Sequence, residues 1–140
     1  MDCADSDRIE IRFPPKLDYL CPLRRFFEDL ARLLGFPSKE IDGIVMAVDE
    51  AVANSIKYSL NASEPLHVTV DITPDTLVIG ILDAGEDFRE RFFEELEIEV
   101  HLHEMRERGL GIHIIKTFMD AVDYQRTEDR NLLTLIKRLP

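Results

Sequence analysis

The sequence predicts an α+β fold, a two-layer α/β sandwich in which a mostly antiparallel, mixed sheet is covered by helices on one face. Three observations carry this. Stretches with a period-two apolar pattern are interleaved with stretches of helical period, in the order βααββ, acidic loop, αββ. Two of the strand pairs are joined by short turns, as antiparallel neighbours are. The chain has 140 residues, 45% of them hydrophobic, with only 6 Gly and 7 Pro, which suits one domain over 1–140 with a core that needs no metal or disulfide staple.

Ile9, Ile11 and Phe13 alternate with Arg8, Glu10 and Arg12, the mark of a half-buried strand, and Pro14-Pro15 stops it. From Leu17 to Leu34 the residues Leu17, Leu20, Leu23, Phe26, Phe27, Leu30, Leu33 and Leu34 recur at helical spacing up to Gly35. Ser38 offers an N-cap for a second helix running to about Leu60, with Asn61 as its stop. Strands follow at Leu66–Ile72 and Thr76–Leu82 across a Thr73-Pro74-Asp75 turn; the second hardly alternates and is expected to be the more buried. Glu86 to Arg108 holds nine Asp/Glu and four Arg and reads as a loop. A helix over Gly111–Met119 and strands over Ala121–Arg126 and Asn131–Arg138 complete the chain.

Charge narrows the partners. With 28 Asp/Glu against 17 Lys/Arg the net charge is −11, which repels phosphate backbones and anionic lipid and argues against nucleic-acid and membrane binding. Cys3 and Cys21 make no disulfide framework. The acidic start Met1–Asp5 lacks the apolar core of a signal peptide, and no run approaches a membrane span, so a cytoplasmic protein is expected. A small anionic ligand stays open, because backbone N–H groups at a helix N-terminus bind phosphate whatever the net charge.

The second helix has two faces that avoid an ordinary solvated composition. Ile41, Ile44, Val45, Val48, Val52, Ile56 and Ser59 form the core stripe. Opposite them stand Gly43, Met46, Ala47, Glu50, Ala53, Asn54 and Lys57, mostly small or apolar residues around three polar ones. Glu50, Asn54 and Lys57 are either surface groups or the floor of a pocket. In a pocket, the carboxylate of Glu50 accepts a proton from a nucleophile while the Asn54 amide oxygen ligates a hard cation such as Mg²⁺. Asp83 after its uncharged strand is either a turn-former or an acceptor-only group for an exocyclic amine such as that of adenine, with Gly85 letting backbone approach a flat ring. Gly109 and Gly111, just before a helix, either cap it flexibly or free N–H groups to cradle phosphate. His101 and His103, beside Glu99 and Glu104, are a weaker metal candidate, and Phe92, Phe93 and Leu96 either pack under the loop or offer a docking surface.

In order, Asp49-Glu50-Ala51-x-x-Asn54 on a helix, Asp83-x-Gly85 after a strand and Gly109-Leu110-Gly111 before a helix resemble the GHKL ATPases of the Bergerat fold. Within them the chain is most similar to the small bacterial anti-sigma-factor serine/threonine kinases of the RsbW type, from Ile9 to Leu139. The resemblance implies that Glu50 is the general base, Asn54 the Mg²⁺ ligand, Asp83 with Gly85 the adenine-binding pair, Gly109 and Gly111 the glycines under the phosphates, and about 86–108 the ATP lid. It implies transfer of a γ-phosphoryl group from ATP to a small antagonist protein of the anti-anti-sigma type, a sigma factor or other response effector as second client, and a homodimer. The alternative is a non-catalytic regulatory module that keeps the fold and binds proteins. Asp87 and Glu107 stand where the family usually has glycine, and Arg89, Arg91, Arg106 and Arg108 lie near enough in sequence to offset them in a lid that orders only with nucleotide or partner bound.

Overall fold

The alternation of β1 (Asp7–Phe13) turns Phe13 and, partly, Ile9 and Ile11 into the interior while Arg8, Glu10 and Arg12 stay exposed. In the computed structural model, which describes residues 6–61, 63–97 and 111–140, this strand is the edge of a five-stranded sheet. A 3₁₀ turn at Leu17–Tyr19 leads into α1 (Leu20–Leu33), followed by α2 (Ser38–Lys57), β2 (Leu66–Ile72), β3 (Thr76–Asp83), α3 (Arg89–Glu97), α4 (Gly111–Phe118), β4 (Ala121–Thr127) and β5 (Arg130–Arg138). Helices and sheet make the two expected layers. The strand order is β1-β2-β3-β5-β4.

All four pairings are antiparallel, so the sheet is of one type rather than mixed. The register shows why. The chain leaves the sheet at Phe13 and, after α1 and α2, re-enters opposite it at Leu66, as an antiparallel partner must. After Asp83, the route through α4 delivers the chain to Ala121 at the opposite end, so β4 runs parallel to β3. β5 then fits between the two and is antiparallel to both.

Between the layers lies a core in which Ile44, Val52, Val68, Leu77, Ile79, Ile81, Ile112, Ile115 and Leu135 are fully buried. β3 is the most buried strand, as its unbroken apolar run requires. In α1 the stripe Leu20, Leu23, Phe27 and Leu30 is buried, but Leu17 and Leu33 at its two ends are exposed. Arg24 of α1 donates to both carboxylate oxygens of Asp49 on α2, at 2.7 and 3.4 Å, and clips the helices together.

Several local expectations are corrected. Ser38 is the first residue of α2 and makes no capping bond; Pro37 occupies the cap position, where its fixed φ of −69° suits the helix entry. The helix ends at Lys57 rather than near Leu60, because Ser59 has left it to bridge Gly85 in extended pairing. The acidic stretch is not all loop, since Arg89–Glu97 is helical. The last hairpin turns on Glu128, which takes the left-handed φ of 55° in a turn that has no glycine.

Gly43 and Ala47, on the second inward face of α2, are buried, and Gly43 lies against Phe118 of α4. A Cβ at Gly43 would fall 2.7 Å from Phe118 Cδ1. Overpacking of this kind costs about 1–3 kcal/mol, against about 1 kcal/mol gained by replacing glycine in a helix. Gly43→Ala is therefore expected to lower the urea midpoint of unfolding at unchanged slope, despite its better helix propensity.

Candidate functional site

The helix-facing side of the sheet is apolar along most of its length and turns polar at one end. Residues of one parity on β5, namely Leu135, Leu133 and Asn131, share that face, and Asn131 pairs in register with Asp83 on β3 and with Arg126 on β4. Asp83 and Asn131 are both buried. Asn131 Nδ2 donates to Asp83 Oδ1 at 2.9 Å and to the Glu86 carbonyl at 2.7 Å. Its Oδ1 accepts from the Tyr124 hydroxyl and from Arg126 Nη1, the latter at 3.0 Å. The Gly85 N–H donates to Asp83 Oδ1 at 2.8 Å, and Arg126 returns a bond to the Gly85 carbonyl at 2.9 Å. Both bonds to Asp83 fall on Oδ1, so its other oxygen is the one offered to the pocket that the residue lines.

Gly85 is held by contact as well as by hydrogen bonds. A Cβ there would lie 2.8 Å from the Tyr58 carbonyl and 3.0 Å from Asp83 Oδ1, so only glycine lets the end of β3 meet the end of α2. On the other side of the site, α4 starts against α2. A Cβ at Gly111 would stand 2.6 Å from Asn54 Nδ2 and 3.2 Å from Glu50 Oε2. The structure thus brings Glu50, Asn54 and Gly111, the first described residue of α4, together.

Between the two groups is a small pocket with a cavity volume of about 30 Å³. Ala51 and Ile112 supply apolar walls, Asn54 and Asp83 polar ones, and Tyr58, Phe88 and Tyr124 an aromatic rim. Phe88, Phe92 and Tyr124 cluster, with Phe92 stacked on Tyr124 at 5.4 Å and itself buried. Phe93 is exposed. Phe92 therefore packs under the stretch and Phe93 faces solvent, while the side chain of Leu96 lies outside the described residues. The Arg91 guanidinium lies 4.4 Å from the Tyr58 ring centre, a cation–π distance at the pocket rim.

Asp87 is offset as its arginine neighbours imply. Arg89 donates to it from Nη2 at 2.8 Å and from its backbone N–H at 3.0 Å, and these bonds hold the exposed carboxyl down to about 2. The Phe88 N–H donates to the Tyr124 hydroxyl at 3.0 Å. Burial raises the Tyr124 phenol above its ordinary value, so it keeps the proton it donates to Asn131. The root of the acidic stretch is thus docked on β4.

Gly109, Glu107, Arg106, Arg108 and the pair His101 and His103 lie outside the described residues. Among the described residues no cluster of His, Cys, Asp and Glu suits a metal, and no helix is long and apolar enough to cross a membrane. Sequence reasoning missed Asn131, Tyr124 and Arg126. The strand alternation carried the signal for Asn131, because a polar residue in phase with Leu133 and Leu135 faces the core.

A two-layer sandwich with this pocket at the end of its helix-covered face is the architecture of an ATPase class, and the comparisons give the class its name. The chain belongs to the family described as the histidine kinase-like ATPase domain, whose model matches residues 13–137, and within it to the anti-sigma-factor kinases. It is 31% identical over 122 residues to the serine-protein kinase RsbW of Listeria innocua, covering 83% of this chain and 78% of that one. With the RsbW of Oceanobacillus iheyensis it shares 30% over 125 residues, 85% and 79% of the two chains. Its fold matches the structure of the RsbU and RsbW domains of Rv1364c from Mycobacterium tuberculosis with a TM-score of 0.69 at 15% identity, over 95% of this chain and 32% of that longer one. It also matches the SiaB–SiaC complex from Pseudomonas aeruginosa, with a TM-score of 0.62 at 12% identity, over 94% and 89%.

Proposed function

We propose that this protein is an ATP-dependent serine/threonine protein kinase that phosphorylates a small antagonist protein of the anti-anti-sigma type and binds a sigma factor or another response effector in a partner-switching circuit. The observation that carries the reading is the approach of Gly111 to both Glu50 and Asn54 across the pocket from Asp83. This is the juxtaposition that phosphoryl transfer needs. The relatives named as serine-protein kinases support it.

In this reading Asp83 accepts the exocyclic amine of adenine, Tyr58 and Phe88 flank the base, and the N–H groups at the start of α4, with Gly109 and Gly111, receive the phosphates. The donor set suits Mg²⁺, since the Asn54 amide oxygen is a hard ligand one helical turn from the Glu50 carboxylate, and a side chain at Gly111 would crowd both residues. When bound, Mg²⁺ neutralises charge on the phosphates. Asn54 holds it, and Glu50 takes the proton from the incoming serine hydroxyl of the antagonist. Residues 86–108 form the lid over the nucleotide, rooted where Phe92 packs on Tyr124. A homodimer and a cytoplasmic location complete the proposal.

Calorimetric titration with ATP, with and without Mg²⁺, tests the reading. Binding that is stronger with Mg²⁺ is expected, together with transfer of labelled γ-phosphate to the antagonist. Absence of nucleotide binding overturns the kinase reading; binding without transfer favours the non-catalytic module. Asn54→Ala is expected to abolish most of the Mg²⁺ enhancement and to lower metal-free affinity by much less, because the amide ligand is lost while Asp83, Tyr58 and Phe88 keep their places in the pocket.

A further inference from the structure

We infer that Asn131, held in place by Tyr124, is a positioning residue that couples the root of the acidic stretch to the orientation of Asp83 and so sets preference for an amino-bearing base. The inference rests on the nucleotide-site reading above and goes beyond it. An Asn side chain has two N–H donors and an oxygen with two lone pairs, and here all four are used. The donors hold Asp83 Oδ1 and the Glu86 carbonyl, so one planar amide fixes both the base-facing carboxylate and the residue where the chain leaves the sheet. The acceptor holds Tyr124 and Arg126, and Tyr124 in turn receives the Phe88 N–H and stacks on Phe92.

The consequence is directional. With Oδ1 occupied by Asn131 and the Gly85 N–H, Asp83 presents a single fixed acceptor oxygen, which welcomes an amine and repels a carbonyl. If the segment from Glu86 to Phe92 loosens, Tyr124 and the Glu86 carbonyl release Asn131, and the carboxylate is free to turn. Because Asn131 is buried and uses both donors and both lone pairs, its partners act as a unit rather than as a sum of separate bonds.

The test compares ADP and GDP affinities by calorimetry, and hydrogen exchange at the Phe88 amide, for the wild type, Tyr124→Phe, Asn131→Ala and the double variant. Tyr124→Phe keeps the ring and its stack on Phe92 and removes only the hydroxyl, so the fold is retained. It is expected to weaken ADP binding by about fivefold, to narrow the preference for ADP over GDP, and to speed exchange at Phe88. Asn131→Ala is expected to weaken ADP binding by about tenfold or more, and the double variant to bind no worse than Asn131→Ala alone. Equal loss of ADP and GDP affinity, or unchanged ADP affinity while Phe88 exchange accelerates, overturns the coupling and leaves the nucleotide-site reading standing. Failure of the wild type to bind ADP overturns both. Arg126→Met, which removes the other donor to Asn131 Oδ1, repeats the test at a second position: a narrowed ADP preference supports the coupling, and an unchanged one overturns it.

Discussion

Glu50→Gln is expected to reduce phosphoryl transfer to the antagonist by a factor of at least about a hundred, while nucleotide affinity stays within about twofold. A positioned general base contributes roughly 10²–10⁴ in rate, and Gln is nearly isosteric but does not accept the proton. Glu50 stands on α2, one helical turn before Asn54, and both abut the start of α4 at Gly111. The substitution leaves that packing in place, because the space beside Gly111 accommodates an amide as it does a carboxylate. The measurement is single-turnover transfer of labelled γ-phosphate alongside calorimetric binding of ATP. Transfer at the wild-type rate would mean that another group takes the proton and that Glu50 serves only to close the helix contact.

Asp83→Ala is expected to be the most damaging change in the base pocket, lowering adenine-nucleotide affinity by about tenfold to a hundredfold and thermal stability as well. Two buried donors, the Gly85 N–H at 2.8 Å and Asn131 Nδ2 at 2.9 Å, lose their acceptor together. A buried donor left unsatisfied costs about 1–3 kcal/mol, and every 1.4 kcal/mol of lost binding energy is about tenfold in affinity. Asp83→Asn separates the two effects. Its amide oxygen still accepts from both donors, so the fold is largely spared, while its N–H groups face the base where an acceptor is needed. Nucleotide affinity should therefore fall in Asp83→Asn with a melting temperature close to wild type. Equal affinity in all three proteins would remove Asp83 from base recognition.

The elements that were legible are those whose pattern is local. The alternation in Arg8–Phe13 and Leu66–Ile72, the helical stripe of Leu20, Leu23, Phe27 and Leu30, and the uncharged run before Asp83 each record which face meets the core, and each is an element of the stated kind. Errors gathered at element ends and in the acidic stretch. Ser38 had the chemistry of a cap but not the place, because Pro37 already sets the entry angle. Ser59 lay in phase with the helix, yet its pairing with Gly85 removes it, and that pairing depends on where β3 ends. The helix Arg89–Glu97 is rich in charge and weak in stripe, and what anchors it is Phe92 against Tyr124, a contact between residues 32 positions apart.

The candidate site divides along the same line. Glu50 and Asn54 share a side because four residues make about one helical turn, and Gly85 and Gly111 flank their elements because glycine tolerates close approach; both follow from one stretch of chain read alone. That Gly111 comes to rest against Glu50 and Asn54, that Asn131 and Arg126 stand in register with Asp83, and that Tyr124 holds the root of the acidic stretch depend on strand order and on helix packing. Residue types and their periodicity determine which groups an element can present and on which face. Contacts between residues far apart in the chain are decided only when β5 inserts between β3 and β4 and α4 closes on α2, because the free energy that selects those arrangements comes from burying the core as a whole.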